Sequence, residues 1–219
     1  MEAKNVFITG GTGYVGQRLA EALVARGHRV RVLARASSVG RVAAGATTIV
    51  GNALDASSYV AAVRPGETIV HLVGTPHPSP SKAAEFQRVD RPSIDAAVAA
   101  ALRAGAGHLV YVSVAHPAPI MKAYIDVRMA GERAIAKAGL TATIIRPWYV
   151  LGPGHWWPAM LMPIYFLFGL IPSTRDSAKR LGLVTIDQMI RTLVAAVENP
   201  PAPRTIRVVN VPEIRATSR

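Results

Sequence analysis

Ile8-Thr9-Gly10-Gly11-Thr12-Gly13-Tyr14-Val15-Gly16 follows an apolar run, Lys4–Thr9 (KNVFIT), and opens a stretch whose apolar positions Val15, Leu19, Ala22 and Leu23 share one helical face. The run reads as a buried strand and Tyr14–Arg26 as a helix, with Gly27 as its C-terminal stop. Gly10, Gly13 and Gly16 fall G-x-x-G-x-x-G across the turn between them. A glycine at the first position permits a tight turn. The second lets backbone N–H groups approach a pyrophosphate, and the third lets the helix pack close to the sheet. Such a triplet gains its weight from the strand before it and the helix after it.

Working outward, short β-branched runs alternate with Ala-rich helical stretches. Arg29–Leu33, Thr47–Val50, Thr68–Val73, His108–Val114 and Thr141–Arg146 read as strands. About Lys82–Ala104, closed by Gly105, and Lys122–Ala138 read as helices. Strand, helix and strand joined by short connections imply parallel pairing through right-handed crossovers, hence an α/β fold with a doubly wound parallel sheet. Beyond Pro147 a helix over Asp187–Glu198 and a strand over Thr205–Val209 are expected, with Thr185 and Gln188 spaced as a capping box. No long linker interrupts the chain. It reads as a single domain over 1–219, with a dinucleotide-binding core at 1–146 and a C-terminal lobe at 147–219 packed back on it.

The end of the second strand bears on the choice of dinucleotide. An NAD(H) site would place Asp or Glu there for the ribose 2′-hydroxyl. This chain has Arg35, then Ser37 and Ser38, with Arg41 close behind, and no carboxylate between Glu21 and Asp55. A guanidinium pairs with a 2′-phosphate and nearby hydroxyls donate to it, which points to NADP(H) over NAD(H).

Composition excludes other classes. The 219 residues carry no cysteine, so thiolate catalysis, disulfides and Cys-based metal sites are out. No histidines sit at the helical spacing a zinc site needs, and no metal is expected. The net charge of +12 raises nucleic acid, acidic membrane or a phosphorylated ligand as partners. The basic residues are scattered, however, so no dedicated nucleic-acid site is expected. The N-terminal residues show no targeting segment, making the cytoplasm the expected location.

The ordered series TGGTGYVG (Thr9–Gly16), Arg35, GNALD (Gly51–Asp55), HLVG (His71–Gly74), LVYVSV (Leu109–Val114), YIDVR (Tyr124–Arg128) and RPWYVLGPG (Arg146–Gly154) resembles the short-chain dehydrogenase/reductase superfamily. The similarity is to its extended and atypical branches, epimerase-like and NADPH-sensor-like, and runs from about Lys4 to Val211. The resemblance implies that Gly10, Thr12, Gly13, Tyr14 and Val15 line the pyrophosphate and adenosine side. It places Asn52 at the adenine amino group with Ala53 and Leu54 beside the ring. Val73 and Gly74 would lie under the nicotinamide-side ribose, and Pro147 and Val150 would border the nicotinamide.

The resemblance also implies a catalytic set of Tyr, a Lys four residues later, and a Ser or Thr from the end of the fifth strand. This chain keeps Tyr124 but has Arg128 at the Lys position. Arg128 shares a helix face with Tyr124 and supplies charge, though its planar fork differs from an ammonium. Ser113 lies in the strand, while the position matching the family's hydroxyl falls nearer Ala115. Tyr124, Arg128 and Ser113 are therefore the candidate catalytic residues.

Trp156–Pro172 (WWPAMLMPIYFLFGLIP) carries no charge and is broken by Pro158, Pro163 and Gly169, which argues against a membrane span. An apolar substrate pocket or lid, an oligomer interface such as a homodimer, and a weak membrane-surface contact remain its possible uses. His155, beside it, reads as a turn residue. The expected function is an NADP(H)-binding oxidoreductase or related isomerase, with hydride transfer to or from a small hydrophobic carbonyl or alcohol. The alternative, raised by the altered Tyr-x-x-x-Arg set, is a catalytically quiet NAD(P)H-binding sensor or assembly subunit.

Overall fold

The computed structural model describes residues 2–154 and 181–217. The apolar segment 156–172 and His155 lie outside the described residues.

The strands are β1 (Asn5–Thr9), β2 (Arg29–Ala34), β3 (Thr47–Val50), β4 (Thr68–His71), β5 (His108–Val112), β6 (Ala142–Arg146), β7 (Tyr149–Leu151), β8 (Leu183–Thr185) and β9 (Ile206–Asn210). The principal helices are α1 (Tyr14–Ala25), α2 (Arg91–Ala104), α3 (Lys122–Lys137), α4 (Ile186–Glu198) and α5 (Val211–Ala216). A seven-stranded sheet runs in the order β3-β2-β1-β4-β5-β6-β9, and every adjacent pair is parallel. This is the doubly wound α/β fold that the alternating pattern predicts. From β1 the chain winds outward to β2 and β3, then returns to set β4 on the other side of β1. The strand order thus reverses at the carboxyl ends of β1 and β4, where open α/β sheets bind ligands.

Period-2 alternation distributes β1 between two cores. Val6 and Ile8 face Leu19 and Leu23 of α1 and Met189 and Leu193 of α4. Phe7 faces the opposite layer with Ile94 of α2, Ile135 of α3 and Tyr59. Burial on both faces explains why the centre of β1, Val6–Ile8, is apolar without alternation.

The C-terminal part adds β9 to the sheet edge beside β6, and β7 pairs in parallel with β8 as a separate two-stranded sheet. The expected capping box forms: Thr185 Oγ1 accepts from Gln188 N–H, and Gln188 Oε1 accepts from Thr185 N–H. The long helix expected over about Lys82–Ala104 forms over 83–104, with a change of hydrogen bonding inside it. A turn at Ala83–Glu85 passes into a π-helical stretch, Phe86–Asp90, before α2 begins. Extra-residue helical turns of this kind often mark functional positions.

Candidate active site

The glycine turn is shaped by backbone contact. Gly10 adopts φ +78°, and a β-carbon there would stand 2.8 Å from the carbonyl carbon of Leu72 and from the nitrogen of Val73. A β-carbon on Gly16 would run into the carbonyl oxygen of Gly10. The helix that follows has no side-chain cap and no acidic residue in its first turn. The helix dipole favours an anion at this first turn.

A cavity of about 430 Å³ opens over the carboxyl ends of β1, β2 and β4. Gly10, Thr12, Arg35, Asn52, Ala53, Leu54, Val73 and Gly74, all singled out from the sequence, line it. A second cavity of about 230 Å³ is lined by Gly13, Tyr14 and Val15, and shares Gly10, Gly74 and Pro76 with the first. Arg35 stands immediately before a 3₁₀ turn, Ala36–Arg41, that carries Ser37, and both Arg35 and Ser37 are exposed. Arg41 donates to Ser38 Oγ at 3.0 Å. Asn52 Oδ1 already accepts from Leu54 N–H at 3.1 Å. Pro147 and Val150 are not among the lining residues of either cavity; Pro147 instead accepts from Ala115 N–H at 2.8 Å.

A pocket of about 30 Å³ is lined by Pro78, Val114, Met121, Tyr124, Trp148 and Tyr149. Tyr124 packs on Phe86 with ring centroids 5.0 Å apart, and Trp148 meets Tyr149 edge to face at 5.4 Å. Burial pushes the Tyr149 phenol above its usual range.

Arg128 lies one helical turn beyond Tyr124 and is buried, its guanidinium 5.1 Å from the centroid of the Tyr124 ring. Nη2 donates to Asp90 Oδ1 at 2.8 Å; Nη1 donates to the carbonyls of Val112 at 3.1 Å and Val73 at 3.3 Å. Burial works against the guanidinium charge, but Tyr124, Tyr111 and Asp90 outweigh it and hold the arginine above its ordinary pKa. Asp90 Oδ2 in turn accepts from both the N–H and the hydroxyl of Thr75, at 3.0 and 2.6 Å. Ser113 is turned elsewhere: its hydroxyl donates to Glu132 Oε1 at 2.6 Å, two helical turns beyond Tyr124. Glu132 is gripped by Arg146 through Nε and Nη2.

Asp90, Thr75 and Glu85 had not been singled out from the sequence. Glu85 lines the larger cavity. Asp90 carried a signal, because it stands four residues after Phe86 and four before Ile94 on a buried helical stripe. A carboxylate on such a stripe requires a partner.

Residues 10–152 match the model of a family described as NAD(P)H-binding. The chain belongs to this NAD(P)H-binding family. Its fold is that of the epimerase-like short-chain dehydrogenase/reductases. The Bordetella bronchiseptica enzyme WbmH, solved in complex with NAD+, superposes with a TM-score of 0.65 at 21% identity, over 90% of this chain and 73% of that one. Ceramide reductase from Caulobacter vibrioides is 27% identical over 197 residues, 89% of this chain and 61% of that protein. A 3-diazoavenalumate denitrifying reductase from a Streptomyces species is 29% identical over 222 aligned residues, 89% of this chain and 72% of that protein. The chain thus spans less than two thirds of the length of the ceramide reductase. Among the described residues no helix is long and apolar enough to cross a membrane.

Proposed function

We propose that this NAD(P)H-binding chain is an NADP(H)-dependent oxidoreductase acting on a hydrophobic carbonyl or the corresponding alcohol. The carrying observation is the placement of Tyr124. Its ring lines an apolar pocket bordered by Pro78, and the preceding residues Gly74, Pro76 and His77 border the cavity at the glycine turn. One loop therefore touches both chambers, as transfer between a cofactor and a substrate requires.

The chain's residues fit a nicotinamide dinucleotide. The glycine cradle at positions 10 and 16 admits backbone but no side chain, and the uncapped first turn of α1 suits a pyrophosphate. Arg35 lines the larger cavity, and with the exposed Ser37 two residues on it offers a guanidinium and a hydroxyl for a 2′-phosphate. Arg128 Nε is buried without a hydrogen-bond partner among the described residues, a donor left for a ribose hydroxyl. When bound, the cofactor supplies the hydride. Tyr124 carries the proton at its phenol oxygen, and Met121, Trp148 and Tyr149 exclude water from the reacting carbon. Pro78, Val114, Met121 and Trp148 in the described lining suit an apolar substrate.

One observation favours a catalytically quiet dinucleotide sensor instead: Arg128 and Ser113 are both engaged by protein partners. NADPH consumption with a panel of hydrophobic ketones and aldehydes separates the two. The oxidoreductase reading expects turnover that Tyr124→Phe abolishes while NADPH binding persists. Binding with no turnover on any member of the panel would favour the sensor.

A further inference from the structure

Among the described residues, Arg35 and Glu85 are the charged side chains that line the larger cavity, and neither side chain makes a hydrogen bond or an ion pair there. They belong to opposite sides of the sheet. The helix over 83–104 that carries Glu85 packs through Ile94 and Ala97 into the layer of Phe7 and Tyr59, and Ala53 packs against that same layer. The stretch after Arg35 packs through Val42 and Ala43 into the other layer, with Leu19 and Leu23 of α1. Glu85 therefore shares a side with Asn52–Leu54, and Arg35 leads off to the other.

In a doubly wound sheet the pyrophosphate sits at the first helix and the ribose at the end of the second strand. With those two groups at the glycine turn and at Arg35, the base extends over the ends of β2 and β3, where Leu33, Ala53, Leu54 and Val89 give the cavity an apolar lining. Leu54 is a large apolar side chain left 37% exposed there, a face for a flat ring. An adenine edge sets an amino donor beside a ring-nitrogen acceptor, so its site needs one acceptor and one donor. Asn52, which the resemblance places at the amino group, already uses Oδ1 to accept from Leu54 N–H at 3.1 Å, and its amide NH2 only donates.

We propose that Glu85 reads the base of the dinucleotide: its carboxylate accepts from the adenine amino group, while Asn52 donates to the adjoining ring nitrogen. This rests on the reading of the cavity as the dinucleotide's seat, and not on Tyr124 or on hydride transfer. A carboxylate offers acceptors only. A base with a carbonyl oxygen in place of the amino group then meets repulsion where adenine makes a bond. Glu85 thereby selects the base, as Arg35 selects the group on the ribose.

The full chain is titrated by tryptophan quenching with NADPH and with its hypoxanthine analogue, in which a carbonyl oxygen replaces the adenine amino group. The parent is expected to bind NADPH about 10–100-fold more tightly than the analogue. Glu85→Gln, whose amide accepts from one base and donates to the other, is expected to bring the two within about threefold. Glu85 is half-exposed and its side chain has no partner among the described residues, so the exchange leaves folding intact. A purely structural role would weaken both dinucleotides alike. Equal binding of the two by the parent would overturn the proposal, and so would a preference that Glu85→Gln leaves unchanged. A shift in the NADPH-to-NADH ratio of Glu85→Gln with the base preference intact would assign Glu85 to the ribose and overturn it equally. The proposed function fails by other readouts. Absence of turnover overturns the oxidoreductase, and tighter NADH than NADPH overturns the role of Arg35; the base preference is then read with NADH and its own hypoxanthine analogue.

Discussion

A β-carbon on Gly10 would stand 2.8 Å from the backbone nitrogen of Val73, so the glycine turn after β1 and the loop after β4 close on each other through bare backbone. Gly10→Ala has no tolerant geometry, since φ is +78° and the obstructing atoms belong to main chain. The left-handed conformation alone costs about 1–2 kcal/mol. Pushing the two loops apart also widens the proposed seat of the pyrophosphate. We expect lower stability in urea titration and an NADPH affinity reduced by about tenfold or more, read by tryptophan quenching. Unchanged affinity would show that the dinucleotide does not sit at this turn.

Arg35 is exposed at the rim of the larger cavity and stands where the second strand ends. A charge-assisted bond to a phosphate is worth about 1.5–3 kcal/mol. Arg35→Ala is therefore expected to weaken NADPH by roughly 10–100-fold and to leave NADH nearly unaffected. Parallel titrations with the two cofactors measure the ratio. Equal loss for both would assign Arg35 to the shared part of the dinucleotide.

Much of this arrangement is legible in the sequence, for physical reasons. The strands β1 to β6 each carry an apolar or β-branched run bounded by turn residues, and the glycine spacing marks the cofactor side directly. The short strands β7 and β8 are too brief to show a period, and α5 follows β9 without a break. The π-helical stretch at Phe86–Asp90 leaves no trace in hydropathy, because only the backbone bonding shifts. Asp90 is readable as a carboxylate on a buried stripe, but its partner Arg128 lies 38 residues away and meets it only in the fold. Tyr124 and Arg128 come from the resemblance, and their four-residue spacing puts them on one helix face, whereas the engagement of Arg128 with Asp90 and of Ser113 with Glu132 depends on how α3 sits against the sheet.

Ser113 offers a sharp check on that last point. Its hydroxyl donates to a carboxylate that already pairs with Arg146. Ser113→Ala should cost about 1 kcal/mol of stability and leave NADPH turnover unchanged. Glu132→Gln should cost more, about 1–3 kcal/mol, because Arg146 loses its counter-charge. Urea midpoints and steady-state turnover on the same samples give both numbers. A large fall in kcat for a stably folded Ser113→Ala would restore Ser113 as a hydrogen-bond donor to substrate.

Acid should destabilise the fold through two buried histidines. Burial, reinforced by Arg128, lowers His71 to about 3, and burial, reinforced by Arg207, lowers His108 to about 4. The bonding around His71 suits the neutral ring. Ser93 Oγ donates to the Asp90 carbonyl at 2.9 Å and so accepts from His71 Nε2, which leaves Nδ1 to accept from Thr9 at 2.8 Å. In the unfolded chain both rings titrate near about 6.5. Between that value and the folded pKa values the unfolded state binds more protons. The stability these rings contribute is therefore complete above pH about 6.5 and declines as pH falls below it, by up to about 1.4 kcal/mol per pH unit for each ring. Most carboxylates still hold their charge above pH about 5, so the window between about 5 and 6.5 reports the histidines. Urea unfolding across that window should show a slope approaching two protons in the parent chain and about one in His108→Gln. A flat profile in the parent would mean that neither ring is kept neutral by the fold.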